Sequence, residues 1–279
     1  MAAVDSLCER YHPGHRPVRI RTAGVMSEAG LEASNITKRY GHVQALDGAD
    51  FSAAIGEVTA LIGDNGAGKS TLVKVLSGAI RQDGGTITLE GERLQLSGPL
   101  DAQRHGIETV YQDLALAPDL DAASNLHLGR ELFLVPWLGI LDRRSMARKA
   151  REVFAELGVQ LPDVHAPVGT LSGGQRQTVA VARAVYFASK IIFMDEPTAA
   201  LGVVQRGRVL DTIKRVRDRG IGVVLISHNM PEVLAVADRV EVLRLGKRVA
   251  SFQGRETSVE ELVGAMTGAL AMRGGREAA

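Results

Sequence analysis

A glycine-rich stretch, GDNGAGKST from Gly63 to Thr71, places the tightest constraint on how this 279-residue chain folds. The short apolar run EVTALIG leads into this stretch and ends at Gly63. The segment KSTLVKVLSG begins at Lys69, and its pattern predicts a helix that stops at Gly78. Glycines let such a loop curl until its N–H groups point at phosphate oxygens, and the helix dipole favours the same anion. A strand, a phosphate-binding loop and a helix in this order predict an α/β core, and this context disfavours a chance glycine-rich turn.

Two side chains of this loop carry specific chemistry. We expect Lys69 to reach the β and γ phosphates of a nucleotide and the Ser70 hydroxyl to bind Mg²⁺. The nucleotide contacts predicted for the loop are Gly63, Asn65, Gly66, Ala67, Gly68, Lys69, Ser70 and Thr71.

Two apolar runs, KIIFMDE and GVVLISH, have the pattern of central parallel strands. The first ends in Asp195 and Glu196, at the strand end where α/β sheets bind ligands. We expect Asp195 to hold Mg²⁺ through water and Glu196 to act as general base, although acids also favour a helix start for dipole reasons. His228 follows the second run, and we favour a contact to the γ-phosphate over a purely structural role.

The segment LSGGQRQ, from Leu171 to Gln177, predicts a second anion-binding helix start. Ser172 can cap the helix, Gly173 and Gly174 leave their amides open, and Gln175 completes the set. One nucleotide does not need two phosphate sites in one chain. Two chains that face each other head to tail would use both, which predicts a dimer.

Two further residues are candidates for contacts around the nucleotide. Gln112, in TVYQDL, lies just before a helical insert and could link Mg²⁺ and the attacking water to it. Tyr40 precedes the strand that leads into the loop, where its ring could stack on adenine; a buried core tyrosine is the alternative.

The remaining pattern completes the fold class. LEASNITKRY, QALDGADFSAAIG and GGTITLEGERL predict antiparallel strands, and RVEVLRLGKRVASF predicts a hairpin. From about Ser124 to Gly158 the pattern of apolar residues indicates a helical insert. Ser258 with Glu261 has the spacing of a capping box, which predicts the start of a last helix. We therefore expect a mixed sheet flanked by helices, an antiparallel β subdomain and an α-helical insert.

Composition excludes some classes. Lys plus Arg total 33 against 32 Asp plus Glu, so charge gives no case for a nucleic-acid partner. Cys8 is the only cysteine, and no apolar run approaches the roughly 18 residues of a membrane span. The first residues lack the apolar block of a signal peptide, so we expect a flexible leader and a soluble cytoplasmic chain, with Met26 as a possible start.

Together these motifs resemble the ATP-binding subunits of ABC transporters, a P-loop NTPase family, over about Leu31 to Gly268. The matching parts are the A-loop Tyr40, the Walker A loop, the Q-loop Gln112, the signature LSGGQ, the Walker B Asp195, the base Glu196 and the switch His228. The resemblance implies ATP and Mg²⁺ as ligands. It also implies an ATP-binding domain at 31–268 with a helical subdomain at about 113–185, between a leader at 1–30 and a tail at 269–279.

The stretches MDEPTAALGV and SHNMPEVLAVADRVEVLRLGK are similar to those of the ribose, xylose and fructose importers. This implies a homodimer on the cytoplasmic face of the membrane, bound to a permease that works with a sugar-binding protein. Leu132, Phe133 and Trp137 are candidates for the permease contact, unless they are buried in the insert. Gly202 departs from the aspartate common in the family, and we interpret it as a subfamily mark.

Three rival functions remain open. They are a non-transport ATPase of the same superfamily, a small-molecule kinase, and a regulatory subunit without catalysis. Single copies of the loop and of LSGGQ disfavour the first, the presence of LSGGQ disfavours the second, and Glu196 with His228 disfavours the third.

Overall fold

The structure is a computed structural model that describes residues 30–159, 161, 163–199 and 201–269. Residues 270–279 of the expected tail and nearly all of the expected leader, including Cys8 and Met26, lie outside the described residues. The described strands are β1 (Gly30–Tyr40), β2 (Val43–Ala54), β3 (Val58–Ile62), β4 (Gly84–Leu89), β5 (Glu92–Leu94), β6 (Ile107–Val110), β7 (Phe133–Val135), β8 (Ile140–Leu141), β9 (Ile191–Asp195), β10 (Gly222–Ile226), β11 (Arg239–Arg244) and β12 (Lys247–Gln253).

The helices surround these strands. They are α1 (Lys69–Leu76), α2 (Pro99–Arg104), α3 (Ala122–Leu126), α4 (Arg143–Glu156), α5 (Gly173–Phe187), α6 (Val203–Asp218), α7 (Met230–Val236) and α8 (Val259–Thr267), with short 3-10 helices at Pro136–Leu138, Val168–Thr170 and Gly254–Glu256. None of the described helices is long and apolar enough to cross a bilayer.

A six-stranded sheet forms the centre of the molecule, in the order β12-β11-β3-β10-β9-β6. Strands β11, β3, β10, β9 and β6 run parallel, and β12 pairs antiparallel with β11. The middle strands β3 and β10 are buried along their whole length, because both faces of the sheet are covered by other elements. The mixed α/β sheet that the sequence predicts is confirmed.

A second sheet is antiparallel, in the order β2-β1-β4-β5. Helix α1 lies between the two sheets: Leu72, Val73 and Leu76 share one apolar cluster with β1 and β4 residues and with residues of the central sheet. Helices α4, α5 and α6 pack on the opposite face, and α7 and α8 pack beside β11. The phosphate-binding loop thus sits where both sheets meet the start of α1.

The insert between β6 and β9 contains α3, α4 and α5, but it is not helical throughout. Strands β7 and β8 form a small hairpin there. The five apolar positions predicted for one face of α4 and its end are all buried: Met146, Ala150, Val153, Phe154 and Leu157. The hairpin is different, because Trp137 is 85% exposed and Phe133 is 44% exposed. Burial of these two residues within the insert is therefore wrong.

Candidate functional site

The loop from Gly63 to Ser70 joins the end of β3 to the start of α1, as predicted. Its fold requires glycine at both ends. Gly63 has φ 153° and a Cβ there would lie 2.2 Å from the Leu243 carbonyl oxygen; Gly68 has φ 102° and a Cβ would lie 2.6 Å from the Ala45 oxygen. No larger side chain fits such close backbone approaches. The loop is thereby clamped between β2 and the end of β11.

Lys69 lies across its own loop. Its Nζ donates hydrogen bonds to the carbonyl oxygens of Gly63, at 2.6 Å, and Asp64, at 3.1 Å. Burial lowers the pKa of Lys69, although the nearby charges of Glu196, Asp64 and Asp195 act in the opposite direction. The ammonium group is therefore held by its own loop and interacts electrostatically with Asp195 and Glu196.

Asp195 and Glu196 occupy the carboxyl end of β9. Burial raises the pKa of Asp195, and the adjacent charge of Glu196 raises it further. Glu196 takes a left-handed backbone with φ 49°, and its N–H donates to the Ile226 carbonyl at the end of β10, at 2.9 Å. Such a conformation is energetically costly for a residue with a side chain, so the surrounding structure must impose it.

Glu196 contacts His228, which lies in the loop between β10 and α7. His228 Nδ1 lies 2.7 Å from Glu196 Oε1, and the His228 side chain is 71% exposed. An ionised carboxylate only accepts, so Nδ1 is the ring nitrogen that donates, and Nε2 is left to contact a ligand. The exposure and the contact do not fit a buried structural histidine.

Gln112 follows β6, which pairs in parallel with β9 and places Val110 opposite Met194. The Gln112 side chain is exposed and, within the part of the chain that the structure describes, makes no hydrogen bond. Tyr40 ends β1 with 46% of its surface exposed and the Lys38 ammonium 5.8 Å from its ring. The alternative of a buried core tyrosine is wrong.

The sequence from Ser172 to Gln175 starts α5, at a distance from this group. The Ser172 Oγ accepts from the Gln175 N–H at 3.3 Å, and Gln175 Oε1 accepts from the Ser172 N–H at 2.9 Å. Among the described residues no hydrogen bond or ion pair joins this helix start to Lys69, Asp195, Glu196 or His228. The structure thus shows two separate helix starts, those of α1 and α5, suited to anions.

Sequence reasoning missed Glu232, which connects two of these loops. This carboxylate is 9% exposed and accepts hydrogen bonds from the Thr198 hydroxyl and, at 2.9 Å, from the Asn229 amide. The guanidinium of Arg206 lies 3.5 Å from it and also donates to the Leu201 carbonyl at 2.8 Å. The Asn229-x-x-Glu232 spacing at the start of α7, which is that of a capping box, was the available signal.

Comparison with known proteins assigns the family. A profile described as "ABC transporter" matches residues 46–199, which is more than half of the chain. The chain belongs to the ABC transporter family. It is an ATPase of that family, and the fold, the loop at Gly63–Ser70 and the Glu196–His228 pair agree with this assignment.

Curated relatives of this ABC ATPase are named for sugar import. It is 51% identical to the fructose import ATP-binding protein FrcA of Rhizobium meliloti, over 86% of this chain and 94% of that protein. It is 46% identical to the xylose/arabinose import ATP-binding protein XylG of Sulfolobus acidocaldarius, over 85% and 93%. It is 44% identical to the ribose import ATP-binding protein RbsA 1 of Rubrobacter xylanophilus, of which it spans only 47%.

Solved structures give the same fold. A nucleotide-free ATP-binding cassette from an ABC transporter superposes with a TM-score of 0.72 at 28% identity, covering 84% of this chain and 95% of that one. The ADP conformation of the ATP-binding cassette MJ1267 gives a TM-score of 0.70 at 26% identity, covering 86% and 96%. This ABC ATPase is accordingly a nucleotide-binding protein.

Proposed function

We propose that this chain is the ATP-hydrolysing subunit that powers a membrane permease importing a monosaccharide of the fructose, ribose or xylose type. The observation that carries the proposal is the contact between Glu196 and His228 beside Lys69, because it pairs a base with an orienting residue next to a phosphate-binding loop. The sugar class rests on the names of its relatives, two of which it matches over nearly their full length.

The acids beside Lys69 fit a divalent cation. Two adjacent carboxylates, one of them partly buried with a raised pKa, form a charge cluster that Mg²⁺ would neutralise. In the proposal Ser70, Gln112 and Asp195 hold Mg²⁺, which supplies charge neutralisation for the phosphates. Lys69 and the loop amides bind the β and γ phosphates, and Tyr40 stacks on the adenine.

In the proposal Glu196 and His228, which follow β9 and β10, carry out the proton transfer. Glu196 orients and polarises the attacking water as general base. His228 holds Glu196 through Nδ1 and offers Nε2 to the γ-phosphate.

The second helix start supports a homodimer. Ser172, Gly173, Gly174 and Gln175 lie at the N-terminus of a 15-residue helix, and among the described residues no hydrogen bond or ion pair joins them to the phosphate-binding loop of their own chain. In the proposal they bind the γ-phosphate of the nucleotide held by a second copy, so that two chains enclose two ATP. We place this ATP-binding domain at 31–268, with the helical subdomain at about 113–185.

The exposed hairpin β7–β8 supports contact with the permease. The large apolar side chains that it presents to solvent are Phe133, Leu134, Trp137, Leu138 and Ile140, and so many exposed apolar residues in one short segment are typical of an interaction site. In the proposal this surface docks the chain to the permease at the cytoplasmic face of the membrane, and a sugar-binding protein delivers the substrate.

Reconstitution tests the proposal. The chain is purified with the permease and binding protein encoded beside it and assembled in proteoliposomes, and ATP hydrolysis is measured with fructose, ribose or xylose. We expect one sugar to stimulate hydrolysis; stimulation by a non-sugar alone would assign a different transport substrate.

Substitutions in the β7–β8 hairpin test whether it docks to the permease. Phe133→Ala with Trp137→Ala should abolish co-purification with the permease, whereas Leu100→Ala, an equally apolar side chain 70% exposed on α2, should not. Retention of the permease by a folded double variant would contradict docking through the hairpin.

A further inference from the structure

The chain that follows Gln112 is held in an unfavourable conformation. Leu114 has φ 62° and Ala115 has φ 44°, so two consecutive residues with side chains occupy the left-handed region. A residue other than glycine adopts this conformation only where its surroundings impose it. A specific contact must therefore hold this turn.

Arg183 makes that contact. It lies on α5 between the buried Ala182 and Ala184, and its guanidinium reaches the turn 69 residues earlier in the chain. Nη1 donates to the Ala115 carbonyl at 2.7 Å, and Nη2 donates to the Leu114 carbonyl at 3.1 Å. The planar fork of arginine spans both carbonyls of the strained pair, which a lysine ammonium does not do.

The remainder of the turn is fixed from α3. Asn125 is fully buried; its Oδ1 accepts from the Ala117 N–H at 2.8 Å, and its Nδ2 donates to the carbonyls of Ala117, at 2.9 Å, and Leu120, at 3.1 Å. The residues from Leu114 to Leu120 are thus attached to two helices of the insert. Gln112, two residues before the first attachment, remains exposed at the end of β6.

Two acids near Arg183 favour its charged form but accept no hydrogen bond from it among the described residues. Glu108 and Asp113 are the nearby acids, and Glu108 is engaged by Arg130 at 2.8 Å and by Gln103 at 3.2 Å. Arg183 keeps its charge at any physiological pH, so its two hydrogen bonds to the turn are charge-assisted and persistent.

We propose that Arg183 is a positioning residue that fixes the Gln112 turn to the helix beginning at Ser172, so that both move as one unit. Helix α5 is continuous from Gly173 to Phe187 and transmits a displacement at Arg183 to its own start. A shift of Gln112 on nucleotide binding then changes how Ser172 meets the second copy. The inference rests on the proposed function, and it assigns the coupling between two nucleotide sites to one side chain.

Hydrolysis kinetics of the full chain assembled with its permease test the inference. Arg183→Gln removes the cationic fork. We expect nucleotide-dependent thermal stabilisation within about twofold of wild type, a kcat about tenfold lower, and a Hill coefficient for ATP that falls from about 2 toward 1. Arg183→Lys should recover part of kcat, because one ammonium can still bond one carbonyl. Arg148→Gln, an exposed arginine on α4, is the matched control and should behave as wild type.

A second variant covers the case in which Arg183→Gln does not fold. Ala115→Gly adopts the positive φ without strain, so combining it with Arg183→Gln relieves the turn that the missing fork no longer holds and favours folding of the double variant. Because the double variant still lacks the fork, it should show the same lower kcat and Hill coefficient, whereas Ala115→Gly alone keeps both hydrogen bonds and should behave as wild type. Unchanged kinetics in Arg183→Gln, or in the double variant, would overturn the inference. A wild-type chain without ATPase activity would instead overturn the proposed function.

Discussion

His228 Nδ1 donates to Glu196 Oε1 across 2.7 Å, although the two residues follow different strands of the central sheet. Because β9 and β10 pair in parallel and in register, with Asp195 opposite Ile226, the residues just beyond each strand meet at the same edge. The backbone bond from the Glu196 N–H to the Ile226 carbonyl fixes this geometry before any ligand binds. The sheet therefore preorganises the Glu196–His228 contact.

Removal of the proposed base, Glu196, should separate ATP hydrolysis from ATP binding. Glu196→Gln keeps the size of the side chain and its hydrogen bond but cannot take a proton from water. We expect hydrolysis to fall about 100- to 10,000-fold, ATP binding to persist, and ATP-bound dimers to accumulate in size-exclusion chromatography. Glu92→Gln, an exposed glutamate of β5, is the control. Wild-type turnover in Glu196→Gln would assign the base to another residue.

Asp195 predicts a pH dependence of stability. Burial raises the pKa of this carboxyl above its ordinary 3.8, so the folded chain binds the proton more tightly than the unfolded chain does. The free energy of unfolding of the nucleotide-free protein therefore decreases as pH rises from that ordinary value through the raised one. Asp195→Asn removes this loss and should raise Tm at neutral pH, with the difference shrinking in acid.

The same variant loses a proposed Mg²⁺ ligand. ATP with Mg²⁺ should therefore stabilise Asp195→Asn less than wild type in differential scanning fluorimetry. Asp119→Asn, an exposed carboxylate of the insert, should show neither effect. A lower Tm for Asp195→Asn at neutral pH, with full stabilisation by ATP and Mg²⁺, would contradict the assignment.

Glu232 should matter for hydrolysis although it lies outside the nucleotide loop. Glu232→Ala leaves the Thr198 hydroxyl, the Asn229 amide and the Arg206 guanidinium without their common acceptor. We expect a loss of about 1–3 kcal/mol in the free energy of unfolding and a lower kcat, since Asn229 adjoins His228. Glu260→Ala, an exposed first-turn acid of α8, is the matched control. Wild-type kcat and stability together would show that the network is dispensable.

Gly202 stands where the family commonly has an aspartate, and the effect of this difference can be tested. It caps α6, is exposed, and a Cβ there would meet only the Gln205 side chain, whose Oε1 lies 2.6 Å away and can rotate. Gly202→Asp should fold normally, gain at most a few tenths of a kcal/mol from the better cap, and hydrolyse ATP at a rate close to wild type. An inactive wild type that Gly202→Asp rescues would show that the glycine is a defect.

Local pattern was enough to predict the strands around the candidate site, because each of its proposed residues directly follows an apolar run. Gly63 to Ser70, Asp195 with Glu196, and His228 were proposed as site residues in this way. The cap at Ser172 and the capping box at Ser258 were local as well, since their partners are three residues away.

Contacts made over long sequence distances were not predictable. Arg183 contacts a turn 69 residues earlier in the chain. The only sequence signal for this contact is a single arginine within the apolar run TVAVARAVYF. Trp137 lies in an apolar segment whose composition fits either a buried or an exposed position, and only the hairpin geometry decides. The order of strands in the central sheet depends on crossovers that no periodicity encodes.

Sugar uptake by whole cells tests the central claim most directly. Cells that lack this chain are complemented with wild type or with Glu196→Gln, and entry of radiolabelled fructose, ribose and xylose is measured. We predict that uptake of one of these sugars is lost in the deletion strain, restored by wild type and not restored by Glu196→Gln. Uptake of all three that does not change on deletion, or that Glu196→Gln restores, would contradict the account.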